Sequence, residues 1–130
     1  MTELFINAET KTIKRSKPLQ GAGEFNGDLS EWDVHNVVNM RSMFAYAKSF
    51  NADLSEWDVS SVTDMRAMFY SATSFNADLS KWDVSRVTNM IQMFKGASSF
   101  SQTLCGAWFT STASKDAMFE GSSGRVCSKT

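Results

Sequence analysis

The sequence predicts an α/β solenoid of about four 25-residue strand-turn-helix repeats, with a parallel sheet and degenerate caps. The stretch FNADLSEWDVSSVTDMRAMF at 50–69 recurs in closely similar form at 25–44 and again at 75–94, in register and without a gap. Fourteen of the 25 positions are identical in copy 1 (25–49), copy 2 (50–74) and copy 3 (75–99). Within each copy, an alternating apolar pattern precedes apolar residues at helical spacing.

The first half of each copy predicts a short strand. In copy 2, Trp57 and Val59 bracket Asp58. Because side chains alternate between the faces of a strand, a strand over roughly 55–59 turns the two apolar residues inward and the carboxylate outward.

The second half predicts a two-turn helix. Met65, Met68, Phe69 and Ala72 stand at i, i+3, i+4 and i+7, which is one face of a helix. Thr63 precedes them and is a suitable N-cap.

One copy cannot bury its apolar face alone, so the copies are expected to stack into a common core. In such a stack, each recurring apolar position forms a column that runs through all the copies. The predicted core columns are Leu29, Leu54 and Leu79; Trp32, Trp57 and Trp82; Met43, Met68 and Met93; and Phe44, Phe69 and Phe94.

The ends of the chain predict caps around these repeats at 25–99. Residues 1–24 are expected to form an N-terminal cap, in which ELFINAETKTIKR provides one or two strands. Residues 100–130 are expected to hold a degenerate fourth repeat, copy 4 (100–124), followed by a C-terminal cap. Trp108 arrives one residue late in copy 4, so it is predicted to be the exposed indole.

The repeat consensus resembles a known family. The run Phe-Asn-x-Asp-Leu-Ser-x-Trp-Asp-Val-Ser-x-Val-Thr-x-Met-x-x-Met-Phe resembles the repeat of BspA-like, leucine-rich-repeat-related surface proteins, first noted in mycoplasmas as a domain of unknown function. The resemblance covers 25–99 closely and 100–124 loosely. It implies a leucine-rich-repeat-like fold, display on the cell surface or secretion, and adhesion or protein binding. It implies no catalytic residues.

Composition excludes several classes of partner. A net charge of −1 provides no general attraction for nucleic acid, and no apolar run is long enough for insertion into a membrane. The first residues show no signal-peptide pattern, so the sequence itself leaves localisation open.

The polar motifs favour structure over chemistry. Asp28, Asp53 and Asp78 could suggest calcium, but single carboxylates spaced along an axis do not converge on one ion, so Asx-type turns are favoured for these and the other repeated aspartates. The Met-x-x-Met pairs could bind Cu(I) but lie on the apolar face. His35 has no identifiable nucleophile, and no phosphate loop is present. The predictions are therefore no enzyme, no metal and no cofactor.

Cys105 and Cys127 leave two interpretations open, a single disulfide near the C-terminus or two reduced thiols.

Exposed positions that vary between copies indicate the function. The predicted partner-binding residues are Glu31, Glu56, Lys81, Arg41, Arg66, Tyr46, Tyr70 and Arg86. They suggest a non-catalytic module for protein-protein interaction or adhesion, with a protein or a host surface polymer as the partner. One alternative is a structural spacer or self-assembling module, either monomeric or associating end to end. Another is a carbohydrate or host-polymer adhesin.

Overall fold

The computed structural model describes residues 4–7, 12–15 and 26–128. Strand β1 (Leu4–Asn7) pairs antiparallel with β2 (Thr12–Arg15). These two strands lie in the stretch where one or two were expected. The rest of the predicted N-terminal cap at 1–24 lies outside the described residues.

The prediction of an α/β solenoid is wrong. Within the described part of the chain, the only α-helix is α1 (Ala107–Thr110), and it has four residues. The only parallel sheet there pairs the two-residue strands β3 (Thr103–Leu104) and β4 (Arg125–Val126). Turns and irregular backbone form the remainder. No helix of the described ranges has the length and hydropathy needed to cross a membrane.

A run of tight turns replaces the helix predicted over 65–72. Ala67 and Ser71 have φ angles of 56° and 54°, in the left-handed region, whereas an α-helix requires negative φ at every residue. The N–H of Phe69 donates to the carbonyl of Met93 in the next copy, at 2.8 Å, instead of to the residue four positions earlier. Bonding between copies therefore takes the backbone groups that a helix would use internally.

The strand predicted over 55–59 is also absent. The N–H of Trp57 donates to the carbonyl of Leu54, which closes a turn. Trp57 and Val59 are nevertheless buried while Asp58 is exposed. The alternation of apolar and polar residues therefore predicts correctly which side chains are buried, although no strand forms there.

Consecutive copies lie side by side and bond to each other. Isolated parallel bridges join Asn39 to Asp64, Asp64 to Asn89, and Asn89 to Ser114. These contacts set each copy against the next at the period of the sequence.

Thr63, expected as a helix N-cap, has a different role. Both its N–H and its hydroxyl donate to the carbonyl of Val38 in the preceding copy, at 2.9 and 3.3 Å. Thr88 repeats this pair of bonds to Thr63. The threonines hold adjacent copies together.

Stacked phenylalanines form the centre of the core. The ring centroid of Phe69 lies 5.5 Å from that of Phe44 and 5.4 Å from that of Phe94. A second column, Phe50, Phe75 and Phe100, packs against the first, with centroids about 4 Å apart. The structure buries every residue of the predicted core columns except Trp32, which is half-buried.

The indoles connect the copies by hydrogen bonds. Trp57 donates its Nε1–H to the carbonyl of Leu29, Trp82 to that of Leu54, and Trp108 to that of Leu79, each at 2.9 Å. Each bond satisfies a polar group inside the core.

The expectation that Trp108 is exposed is wrong, because its relative exposure is 0%. Its extra residue in sequence is accommodated by Gly106, at φ 60°, and by α1, which begins at the next residue. The indole consequently reaches the position that the repeat assigns to it in space.

Candidate interaction surface

Carboxylates hold the exposed turns in shape. Six aspartates of copies 1 to 3 each accept the backbone N–H of the residue two positions later, at 2.9–3.2 Å. They are Asp28, Asp33, Asp53, Asp58, Asp78 and Asp83. These are the Asx-type turns that the sequence predicted.

Hydrogen bonds from the backbone and the side chain of the residue two positions later lower the pKa of all six carboxyl groups. For Asp28, Asp53 and Asp78 the largest cause is the backbone N–H of the serine two residues on. For Asp33 it is the His35 side chain, and for Asp58 and Asp83 it is a serine side chain. Hydrogen bonds to an ionised carboxylate stabilise its charged form.

Asparagines join the copies at another turn. Asn26 Oδ1 accepts the N–H of Asn51, Asn51 Oδ1 that of Asn76, and Asn76 Oδ1 that of Ser101, at 2.8–2.9 Å. Each bond joins equivalent positions of neighbouring copies, so these amides fix the register and are not free for recognition.

The described residues hold no group of three or more His, Cys, Asp or Glu side chains that could bind a metal ion. His35 contacts the Asp33 carboxylate, and both side chains are exposed. The arrangement provides a turn contact at the surface.

One predicted set of partner-binding residues, the ladder of Glu31, Glu56 and Lys81, is strongly exposed to solvent. Lys81 Nζ lies 4.0 Å from Glu56 Oε1, and the two side chains are 73% and 78% exposed. Glu31 is exposed in the equivalent place of copy 1. Lys81 also lines an open depression of about 370 Å³ together with Asp53 and Asp78. Exposed ion pairs of this kind contribute about 0–1 kcal/mol.

A second grouping lies on the turns that replaced the predicted helices. We define the tyrosine–arginine surface as Tyr46, Tyr70, Arg41 and Arg66. The two tyrosine rings are 5.5 Å apart and tilted by 56°. Arg41 Nη1 lies 3.9 Å from Asp64 Oδ2, and the same aspartate's Oδ1 accepts the N–H of Arg66.

This surface combines exposure with order. Tyr46 is 43% exposed, and Tyr70 and Arg66 are half-buried. The N–H of Tyr46 donates to the carbonyl of Tyr70 at 2.7 Å, so the backbone under the two rings is fixed. Amphipathic side chains on fixed backbone lose little conformational entropy when a partner binds.

Arg86 is exposed on a different turn. The hydrogen bonds from Ser85 are the largest causes of the lowered Asp83 pKa, and the positive charge of Arg86 lowers this pKa further. No ion pair or hydrogen bond of the described chain joins its side chain to the tyrosine–arginine surface.

Sequence reasoning missed two exposed apolar side chains, Val38 at 37% and Phe109 at 44% exposure. Val38 stands where copies 2 and 3 have threonine, so the alignment of the copies held the signal. It also missed the ion pair between Lys95 Nζ and Glu120 Oε1, 3.9 Å apart, in the column that includes Tyr70.

Cys105 and Cys127 are joined as a disulfide, with their Cα atoms 5.0 Å apart. The N–H of Cys127 donates to the carbonyl of Leu104 at 2.9 Å. In the preceding copies, the equivalent leucine carbonyl accepts an indole N–H from the next copy. The disulfide-linked tail therefore occupies the place of the next tryptophan.

Comparison with known proteins identifies the family. No curated protein and no solved structure matches the chain. A family model described as "Mycoplasma protein of unknown function, DUF285" matches residues 11–126, which is most of the chain. The chain belongs to this family of mycoplasma proteins of unknown function.

Proposed function

We propose that the chain is a non-catalytic module that binds a protein partner through the tyrosine–arginine surface. The observation that carries the proposal is the pair of partly exposed tyrosines on a fixed backbone, in the same turn segments as two arginines. Tyrosine and arginine are the residue types enriched at binding hot spots.

Variation between copies supports this choice. The buried columns repeat the same residue, whereas the column of Arg41 and Arg66 continues as Ile91 and then Asp116. The column of Tyr46 continues as Ser71 and Gly96. A face whose chemistry changes from copy to copy gives one end of the stack a different character from the other.

The charge of this surface suggests the chemistry of the partner. Two arginines at the copy 1 and copy 2 end favour a partner that presents carboxylates next to apolar contacts. We extend the proposal to a relationship with the BspA-like surface proteins, on the repeat sequence alone, and with it to display at the cell surface.

The alternatives predict different surfaces. A carbohydrate adhesin would use exposed aromatic rings, but Trp108 is buried, which leaves Tyr46 and Phe109 as the candidates among the described residues. A structural spacer needs the same core and no binding face.

The experiment is a chemical-shift titration of the labelled chain with extracellular protein fractions and, separately, with glycans. We expect shifts confined to Tyr46, Tyr70, Arg41 and their neighbours, from a protein fraction. The double variant Y46A/Y70A should weaken binding by about 30-fold or more, as loss of a hot spot does.

The matched control is the charge reversal E56K/K81E. It keeps an ion pair on the exposed ladder of Glu31, Glu56 and Lys81, and it should leave binding unchanged. Shifts that follow this ladder would contradict the assigned face. Shifts from glycans alone would favour the adhesin, and no shift from any fraction would favour the spacer.

A further inference from the structure

In the turn segments, each copy donates on one side and accepts on the other. Four N–H groups of one copy donate to four carbonyls of the next, and the carbonyls of the donating copy face the copy before it. The donors between copies 1 and 2 are Met40, Ser42, Phe44 and Tyr46; between copies 2 and 3, Met65, Ala67, Phe69 and Ser71; and between copies 3 and 4, Met90, Gln92, Phe94 and Gly96. All twelve distances lie between 2.7 and 3.0 Å.

Left-handed residues accompany this one-sided arrangement. Two positions of each segment have positive φ, as Gln92 and Gly96 do in copy 3, at 57° and 74°. An ordinary antiparallel or parallel strand directs N–H and C=O groups to both of its edges. Here each edge of the segment carries one kind of group in its bonds between copies, so these segments have a donor edge and an acceptor edge. The bonds of Thr63, Thr88 and the indoles lie outside the segments and run the opposite way.

Copy 4 leaves its donor edge open. The equivalent N–H groups are those of Lys115, Ala117, Phe119 and Gly121, and none of them has a hydrogen-bond partner in the described chain. Gly121 is exposed and the other three are half-buried. Backbone donors in such a row form a ready template for pairing.

An aromatic ring lies along the same edge. Phe94 is sandwiched between Phe69 and Phe119, at 5.4 and 5.5 Å, and is fully buried. Phe119 has Phe94 on one side and is only half-buried. The edge thus lacks both an acceptor row and the next ring of the column.

The C-terminal tail covers a different part of copy 4. Strand β4 pairs with β3, and the N–H of Cys127 bonds to Leu104. The disulfide keeps the tail at this position. The tail also packs Gly124 against Phe100 and Phe119, and it leaves the four N–H groups of the donor edge without a partner in the described chain.

We propose that the donor edge of copy 4 binds the acceptor edge of a repeat of this same type on another protein chain. Two rows of N–H donors cannot bond to each other, so the turn segments of two copy 4 edges cannot pair. A segment that presents carbonyls at alternate residues, with a phenylalanine to stack on Phe119, meets every requirement of the edge. This surface is separate from the tyrosine–arginine surface, and the inference does not depend on it.

The test uses the full chain and a synthetic peptide, VTNMIQMFKGASS, with the sequence of 87–99. Within the chain, the carbonyls of this segment serve as the acceptors for copy 2. Amide hydrogen exchange is followed by NMR. In the free chain we expect rapid exchange at Lys115, Ala117, Phe119 and Gly121, and protection of Met90, Gln92 and Phe94. At saturating peptide, exchange at the four edge amides should slow at least tenfold, and a scrambled peptide should have no effect.

A matched pair of variants isolates the donor. Lys115 uses its side chain to bond the carbonyls of Ser111 and Ala113, so Lys115→Ala and Lys115→Pro both lose these bonds. Only the proline variant also loses the N–H. We expect peptide affinity to be unchanged by Lys115→Ala and to fall about tenfold with Lys115→Pro, the effect of one hydrogen bond.

Two results would overturn the proposal. Edge amides already protected in the free chain at every concentration would show that the edge is closed. Unchanged exchange at millimolar peptide would show that it does not accept this segment. Protection that rises with the concentration of the free chain would support the proposal, with a second copy of this chain as the partner. The wild-type exchange data decide the matter even if Lys115→Pro does not fold.

Discussion

Copies 1 to 3 keep almost every motif residue, while copy 4 keeps few, yet the same buried contacts join copy 4 to copy 3. Trp108 bonds to Leu79 at the distance at which Trp82 bonds to Leu54, although their sequence offsets differ by one residue. Phe119 stacks on Phe94 as Phe94 stacks on Phe69. The comparison teaches that the fold depends on a small set of buried contacts and tolerates large changes in the turns around them.

The turns show what copy 4 lost. In place of a carboxylate, the hydroxyl of Ser111 accepts the N–H of Ala113. The ammonium group of Lys115 bonds two nearby carbonyls. Copy 4 also gains the disulfide. The serine hydroxyl therefore accepts an N–H two residues on, as the aspartates of copies 1 to 3 do, while the lysine ammonium adds donor bonds that a carboxylate cannot make.

The largest expected effect tests the equivalence of the indoles. Trp82→Ala and Trp108→Ala should each lower the free energy of unfolding by about 3–5 kcal/mol, because each removes a buried ring and a hydrogen bond. Trp32→Ala should cost about half as much, since Trp32 is half-buried. Urea unfolding measures all three.

A loss for Trp108→Ala no larger than that for Trp32→Ala would break the comparison, because it would show that copy 4 is not held as the others are. Acrylamide quenching provides an independent control. Trp32 should be the accessible indole of the wild type, and Trp108 should be protected.

The next effect belongs to copy 4 alone. The disulfide joins residues 22 apart in sequence, so removing it should destabilise the chain by about 2–4 kcal/mol. The amide of Cys127 should lose its protection first, because its bond to Leu104 depends on the tail. Thermal unfolding with and without reductant measures the loss.

The variant C105S/C127S serves as the control, since its melting temperature should match that of the reduced wild type and not respond to reductant. Equal melting temperatures for the oxidised and reduced wild type would show that the tail is held without the bond.

The smallest effect belongs to copies 1 to 3. Their aspartates have a pKa below the ordinary value of 3.8 in the folded chain. A lowered folded pKa gives stability that is present above pH 3.8 and is lost as pH falls through the folded value. Urea unfolding between pH 7 and pH 2.5 should show this decline, and hydrogen exchange should place it in copies 1 to 3.

The double variant D58N/D83N should flatten part of this decline and keep the fold. The amide oxygens of Asn39 and Asn89 already accept the N–H two residues on, at the position where copy 2 has Asp64. An unchanged pH profile in this variant would show that other groups cause the acid sensitivity.

Much of the burial could be predicted from the sequence. The period of the repeat identified the columns, because identical residues in consecutive copies meet in space. The type of backbone could not be predicted in the same way. Met65, Met68 and Phe69 have the spacing of a helix face, but successive tight turns bury the same positions. The pattern does not distinguish an N–H that bonds within the segment from one that bonds to the next copy.

One signal for the left-handed turns was present. Gly96 and Gly121 occupy the column of Tyr46 and Ser71, and all four have positive φ. Glycine adopts positive φ readily, so the two glycines indicated the turn, whereas Tyr46 and Ser71 in the same column gave no sign of it. The candidate surface was partly predictable, since Tyr46 and Tyr70 were both predicted at the surface, where Tyr46 is exposed and Tyr70 is half-buried. Their ring contact was not, because Tyr70 comes one position before Ser71, the residue that shares a column with Tyr46.

The asparagine bonds between equivalent positions of neighbouring copies have a consequence for how such a gene changes. Unequal recombination between two copies adds or removes one whole repeat, and the new copy meets neighbours whose buried side chains and amide bonds already match it. Repeat number can therefore change without the invention of a new core, and each gain lengthens the exposed columns by one position. Variation in the outer residues and variation in copy number are two independent ways in which selection can alter what this protein presents to its surroundings.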